Sequence, residues 1–118
     1  MVKSLIKKTI EFLDDGYCCE YQLKHEPDGK FTFDGLVTSY YPSGNIFWTI
    51  CFVDGREHGP YIVFWKNGNI CRESNYNYGV LDGEYKDYDE DGLLRDHSCY
   101  VDGKKISLND YKRQIGFN

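Results

Sequence analysis

The stretch Gly83-Glu84-Tyr85-Lys86-Asp87-Tyr88-Asp89-Glu90-Asp91-Gly92-Leu93-Leu94 decides the fold, because its spacing recurs twice upstream, from Gly59 to Ile70 and from Gly35 to Ile46. Glycines open the three units at Gly35, Gly59 and Gly83. They return at Gly44, Gly68 and Gly92, then at Gly55, Gly79 and Gly103, a period of 24 residues. Apolar columns keep the same register: Val37/Tyr61/Tyr85, Tyr40/Phe64/Tyr88, Ile46/Ile70/Leu94 and Phe52/Tyr76/Tyr100. Like residues at fixed offsets mark stacked supersecondary units, each burying its apolar face against its neighbours.

Each unit reads as two strands and two turns. Asn67-Gly68 and Asp91-Gly92, with Ser43-Gly44 in the first unit, have the form of two-residue hairpin turns with both central residues at positive φ. A second turn falls at Asp54-Gly55, Tyr78-Gly79 and Asp102-Gly103. Alternation puts Ile46, Trp48, Ile50 and Phe52 on one face, with Ile70, Arg72, Ser74 and Tyr76 as their counterparts. The column ends stay apolar in every unit. The expected core is therefore Ile46, Ile70, Leu94, Phe52, Tyr76 and Tyr100, and the columns that vary are the place for specificity. The expected fold is all-β: tandem antiparallel β-hairpin repeats in a meander or solenoid sheet.

The ends depart from the pattern. Residues 1–34 read as a degenerate first unit, with Leu13-Asp14-Asp15-Gly16 resembling the first turn and Pro27-Asp28-Gly29 the second. Residues 3–13 fit either a strand or a helical face, and repeat logic favours the strand. Units follow at 35–58, 59–82 and 83–106. Ser107-Leu108-Asn109-Asp110 then has the layout of a capping box, so residues 107–118 should form a short C-terminal capping helix over the open end of the sheet. All of this fits within one repeat domain spanning 1–118.

Composition narrows the functional classes. The chain has 118 residues, eleven Tyr, seven Phe and a net charge of −5, with its lysines and arginines scattered. A nucleic-acid interface needs a basic stripe, so the expectation is no nucleic-acid partner and no strong membrane binding. With no targeting signal in the sequence, the expected location is cytoplasmic. The five cysteines contain no Cys-x-x-Cys spacing and read as free thiols. No phosphate loop, nucleophile elbow or zinc-protease motif occurs, and the expectation is no enzyme and no cofactor. Asp87-Tyr88-Asp89-Glu90-Asp91-Gly92-Leu93-Leu94 resembles the first eight positions of a calcium loop. Position twelve is Ser98, where a bidentate Glu is needed, and the segment is the third copy of a hairpin turn, so no metal is expected. His25, His58 and His97 read as independent.

The pattern Gly-x-Tyr-x-x-Tyr, then Asn-Gly or Asp-Gly before an aliphatic residue, then Tyr-x-x-Gly, resembles the MORN repeat in its 24-residue variant form. Gly83-Glu84-Tyr85-Lys86-Asp87-Tyr88 is its clearest copy. The resemblance covers residues 35–105 well and 11–34 weakly. It implies an interaction module with no catalytic residues to carry over, of the kind grouped among YwqK-type antitoxin-like proteins; MORN repeats in general also imply scaffolding or lipid-associated roles. Independently, Tyr41 and Trp65 share a column whose third copy is Asp89. Such a position suits an exposed interface anchor, or an aromatic packed on the sheet's second face. The candidate binding residues are Tyr41, Trp48 and Trp65, with Arg72 and Asp89 at the polar margin. The expected partner is another protein, a basic one given the acidic surface. The alternative is a small nucleotide-like ligand stacked in an aromatic groove.

Overall fold

The computed structural model describes residues 6–116. Twelve strands run in chain order: β1 (Ile6–Phe12), β2 (Cys18–His25), β3 (Phe31–Phe33), β4 (Gly35–Tyr40), β5 (Ile46–Val53), β6 (Arg56–Glu57), β7 (Gly59–Phe64), β8 (Ile70–Asn77), β9 (Val80–Leu81), β10 (Gly83–Tyr88), β11 (Leu94–Val101) and β12 (Lys104–Ile106). A helix, α1 (Leu108–Gln114), closes the chain. All strands join one antiparallel sheet of order β1-β2-β4-β5-β7-β8-β10-β11-β12, with β3, β6 and β9 pairing β2, β5 and β8. The molecule measures 48 × 38 × 18 Å. With all twelve strands in one sheet, its thin dimension holds a single layer and its side chains.

Two turn chemistries alternate. At Asp54-Gly55, Tyr78-Gly79 and Asp102-Gly103 both central residues have positive φ: 51° and 76°, 45° and 86°, 50° and 81°. These are the two-residue hairpins. The other turns differ from the two-residue form expected of Ser43-Gly44, Asn67-Gly68 and Asp91-Gly92. In them only the glycine is left-handed, and the loop is longer: Tyr41 N–H donates to Asn45 C=O (2.8 Å) and Gly44 N–H to Tyr41 C=O (2.9 Å). Side chains brace these loops, as where Asn67 Oδ1 accepts from Asn69 N–H at 2.9 Å. Pro27-Asp28-Gly29 also belongs to this longer kind, with Glu26 N–H bonded to Lys30 C=O at 2.8 Å, and does not match the second turn.

Gly35, Gly59 and Gly83 do something else. Each return strand is kinked: β6 pairs the end of β5 through Phe52↔Glu57, while β7 pairs its middle through Trp48↔Val63. Between these pairs one strand advances four steps and the other six. The surplus sits at His58-Gly59, where Gly59 holds φ 95°. At the fourth equivalent position stands Ser107 with φ −68°. There the kink becomes a helix start, and Ser107 Oγ accepts from Asp110 N–H at 3.1 Å. The helix packs against β11, where Cys99 is fully buried. It thus covers part of the sheet's face. At the other end, residues 6–12 form a strand, as repeat logic expects; residues 3–5 lie outside the described residues.

The core differs from expectation. Among the described residues the buried apolar ones are Val37, Tyr41, Ile50 and Cys99, whereas Ile46 is 40% exposed and Leu94 51% exposed. Ile70, Phe52, Tyr76 and Tyr100 are half-buried. The physical reason is a register shift in each hairpin. Tyr40 pairs Ile46, Phe64 pairs Ile70 and Tyr88 pairs Leu94 across a bulge, which removes this column from the period-two alternation. Phe47 takes the inward slot and stacks on Tyr41 at 4.6 Å.

Two outcomes follow for stability. Gly59→Ala should cost about 1–3 kcal/mol in a denaturant melt although no atom lies within 4 Å of its added Cβ, because the backbone alone resists φ 95°. Ile50→Ala should cost about 2–5 kcal/mol while Leu94→Ala stays within about 0.5 kcal/mol in the same assay.

Candidate binding site

One face of the sheet carries a run of rings. Tyr21 meets Phe33 edge-on at 5.3 Å, and Phe33 meets Phe52 at 5.0 Å. Tyr61 meets Tyr76 at 6.1 Å and Tyr85 meets Tyr100 at 5.5 Å. Tyr61–Tyr76 and Tyr85–Tyr100 join paired strands at the same repeat offsets, and the N-terminal rings extend the row. Burial raises the Tyr61 and Tyr85 hydroxyl pKa values above the ordinary phenol range.

The junctions between units are solved differently. Where the second unit meets the third, Arg72 pairs Asp87 across the strands. Arg72 Nε donates to Asp87 Oδ1 at 2.7 Å, and its guanidinium lies 5.1 Å from the Tyr85 ring centre. Where the first meets the second, the same place is held by Trp48, edge-on to Tyr61 at 6.2 Å. At the junction before that, the equivalent residues are Cys19, opposite Ser39, and Val37. Both are small. The result is a hollow of about 710 Å³ with walls from Tyr21, Phe33, Phe47, Trp48 and Phe52 and a floor of Val37 and Ile50. Its rim carries Glu11 and Asp15, and among the described residues no basic side chain lines it. Glu11 Oε2 accepts from Tyr21 O–H at 3.2 Å, and Asp15 Oδ1 from Tyr17 N–H at 3.1 Å. Burial, then Cys18 and Glu11, push the Cys19 thiol pKa up, so it stays protonated and presents an uncharged surface.

Cross-strand partners compensate in volume. Val37 faces Ile50, Tyr61 faces Ser74, and Tyr85 faces Ser98. A large ring over a small serine alternates with two medium aliphatics. The first unit therefore packs its own layer and leaves the space above it open.

The five residues singled out from the sequence do not form one exposed patch. Tyr41 is 8% exposed, and its hydroxyl donates to Phe64 C=O at 2.6 Å. Trp65 Nε1 donates to Tyr88 C=O at 3.2 Å. Both side chains reach the next unit, 23 residues on, and tie the units laterally. Asp89 has no following unit to reach. Its Oδ1 accepts from Asp91 N–H (3.0 Å) and Leu93 N–H (2.9 Å), and its Oδ2 pairs with Arg95 at 2.7 Å. The column therefore changes from aromatic to acidic where the array ends. Trp48 alone of the five lines the hollow; Arg72 occupies the matching place two junctions on. The acidic turn is internally committed too: Asp87 holds Arg72, and Asp89 holds its own loop. The three histidines stay apart, with His25 beside Phe31, His58 beneath Tyr78 and His97 Nε2 at 3.0 Å from Glu84 Oε1.

Sequence reasoning missed Cys19, Tyr21, Phe33 and Phe47. The available signal was Val37, the one small member of a column otherwise filled by Tyr61 and Tyr85.

Fold and ring-lined face together define a tandem-repeat β-sheet. Residues 33–53 and 57–78 match the family of MORN repeat variants, the family the repeat pattern resembles. The third unit, unmatched, has the same strands and turns. Neither a curated protein nor a solved structure gives a significant match. Repeats of this family are interaction modules for proteins or membranes. Among the described residues no helix is long and apolar enough to cross a membrane.

Hydrogen bonds from Leu93 N–H, Arg95 and Asp91 N–H lower the Asp89 pKa, outweighing its partial desolvation. A depressed folded-state pKa stabilises above the ordinary carboxylate range, and that contribution disappears as pH falls through the folded value. Asp89→Ala should therefore lower the unfolding midpoint at pH 7, and the gap to the parent protein should close as pH drops below about 4.

Proposed function

We propose that this chain is a non-catalytic interaction module that binds a partner protein by accepting one of its side chains into the hollow bounded by Cys19, Val37 and Trp48. The observation that carries this reading is the comparison of junctions. Where later units cover their rings with Trp48 or Arg72, the first leaves a half-enclosed apolar space walled by aromatics. Large rigid rings around a recess are the usual seat of an interface anchor. The family's repeats are typically non-catalytic, which agrees with this role. An antitoxin- or immunity-like activity is its most concrete form, and the net charge of −5 suits a basic partner.

A small-ligand role is the second reading, favoured by one observation: about 710 Å³ falls within the roughly 300–1,000 Å³ of small-molecule sites.

Cys19→Trp tests both readings, since it reproduces in the first junction the residue that Trp48 supplies in the next, without changing charge. Capture from native lysate should retain a protein on the parent chain that falls at least tenfold on Cys19→Trp. Native mass spectrometry of the parent should show the unliganded mass. A capture set identical for both chains would overturn the reading, and a released small molecule lost from Cys19→Trp would favour the second.

A further inference from the structure

We infer that the side chain taken by the hollow is an arginine of the partner protein; the inference rests on the reading of the hollow as the binding site and names its guest. The molecule contains its own template. At the junction of the second and third units, Arg72 lies over the Tyr85 ring, 5.1 Å from its centre, with Nε held by Asp87 at 2.7 Å. A guanidinium on a ring face with a carboxylate beside it is a favourable arrangement for arginine, which is weakly hydrated and stacks on aromatics.

At the hollow the ring-lined face persists, but the residue in Arg72's column is Cys19, and Asp87's column holds Ser39. The internal cation, its carboxylate and the ring beneath it are all replaced, since Val37 stands in the column of Tyr85. The walls are still aromatic, through Tyr21, Phe33 and Trp48, and the rim supplies carboxylates from Glu11 and Asp15. Glu11 lies opposite Cys19 on the adjoining strand, one strand outward from the empty place. Acidic rim, aromatic wall and absent internal cation are complementary to an incoming guanidinium. They disfavour an anionic nucleotide, whose phosphates would meet Glu11 and Asp15.

The test uses the full chain and three amidated pentapeptides, acetyl-Gly-Leu-X-Leu-Gly, with X arginine, citrulline or glutamate. Citrulline keeps the shape of arginine and removes its charge. Binding is followed by tryptophan emission, with Trp48 in the wall of the hollow as the reporter, and by calorimetry. The arginine peptide should bind at least tenfold more tightly than the citrulline peptide, and the glutamate peptide more weakly still. Glu11→Gln should narrow the arginine–citrulline ratio. Cys19→Trp should abolish arginine-peptide binding at unchanged net charge, which separates occupation of the hollow from general attraction to an acidic protein. If Cys19→Trp fails to fold by circular dichroism, Cys19→Phe, a smaller uncharged ring at the same half-buried position, takes its place. Equal binding of arginine and citrulline peptides, lost in the filled variant, would overturn the arginine assignment and leave the hollow as a binding site. Arginine binding that survives in the filled variant would overturn both.

Discussion

A sheet one layer thick has no second layer to bury against, and that constraint governs the whole molecule. Few side chains in such a sheet can be fully enclosed, so cohesion must come from lateral contacts between adjacent strands and units. The ties are visible. Tyr41 and Trp65 each send a side-chain donor to a backbone carbonyl of the next unit, while Asn45 and Asn67 do the same from the turns, at 3.2 and 2.8 Å. Each bond satisfies a carbonyl that a one-layer sheet would otherwise leave to solvent, and each links a unit only to its neighbour. Such nearest-neighbour coupling is what makes a repeat array quasi-one-dimensional.

The same constraint shapes the ring-bearing face. With nothing packed on it from outside, the rings must cover one another, and they do so junction by junction. Because each junction is a local problem, each can take a different solution on the same backbone. Trp48 sits edge-on to Tyr61, Arg72 lies over Tyr85 with Asp87 as counter-ion, and the small pair Cys19 and Val37 leaves a space. Function can then enter a repeat protein by omission, with no change to the strands that carry it.

The ends show how the array stops. At the C-terminal side, the position that carries Gly35, Gly59 and Gly83 is Ser107. A serine does not favour the left-handed kink, and its hydroxyl is well suited to cap a helix. The chain leaves the sheet and lays α1 over β11, enclosing Cys99. Asp89 marks the same ending inside the sheet, holding its own turn and Arg95 where Tyr41 and Trp65 reach forward to the next unit.

The sequence by itself determined the period, the antiparallel hairpins, the positions of the turns and the helix start. Each of these is written in local chemistry: glycine at positive φ, alternating apolar residues, a capping serine. It did not determine which columns are buried. The bulge beside Tyr40, Phe64 and Tyr88 is a one-residue event that reverses the facing of Ile46, Ile70 and Leu94, and period-two counting runs straight through it. Nor did it reveal that Tyr41 and Trp65 are ties between units, since their acceptors are backbone carbonyls 23 residues away and every residue has a carbonyl. The hollow was legible in part, through Val37 among tyrosines. Its walls come from Tyr21 and Phe33 in the irregular N-terminal unit, and Phe47 turns inward at the bulge. Only the tertiary structure brings these together, because a cavity is defined by the side chains absent between neighbouring strands, and strand neighbours are set by pairing across the sheet.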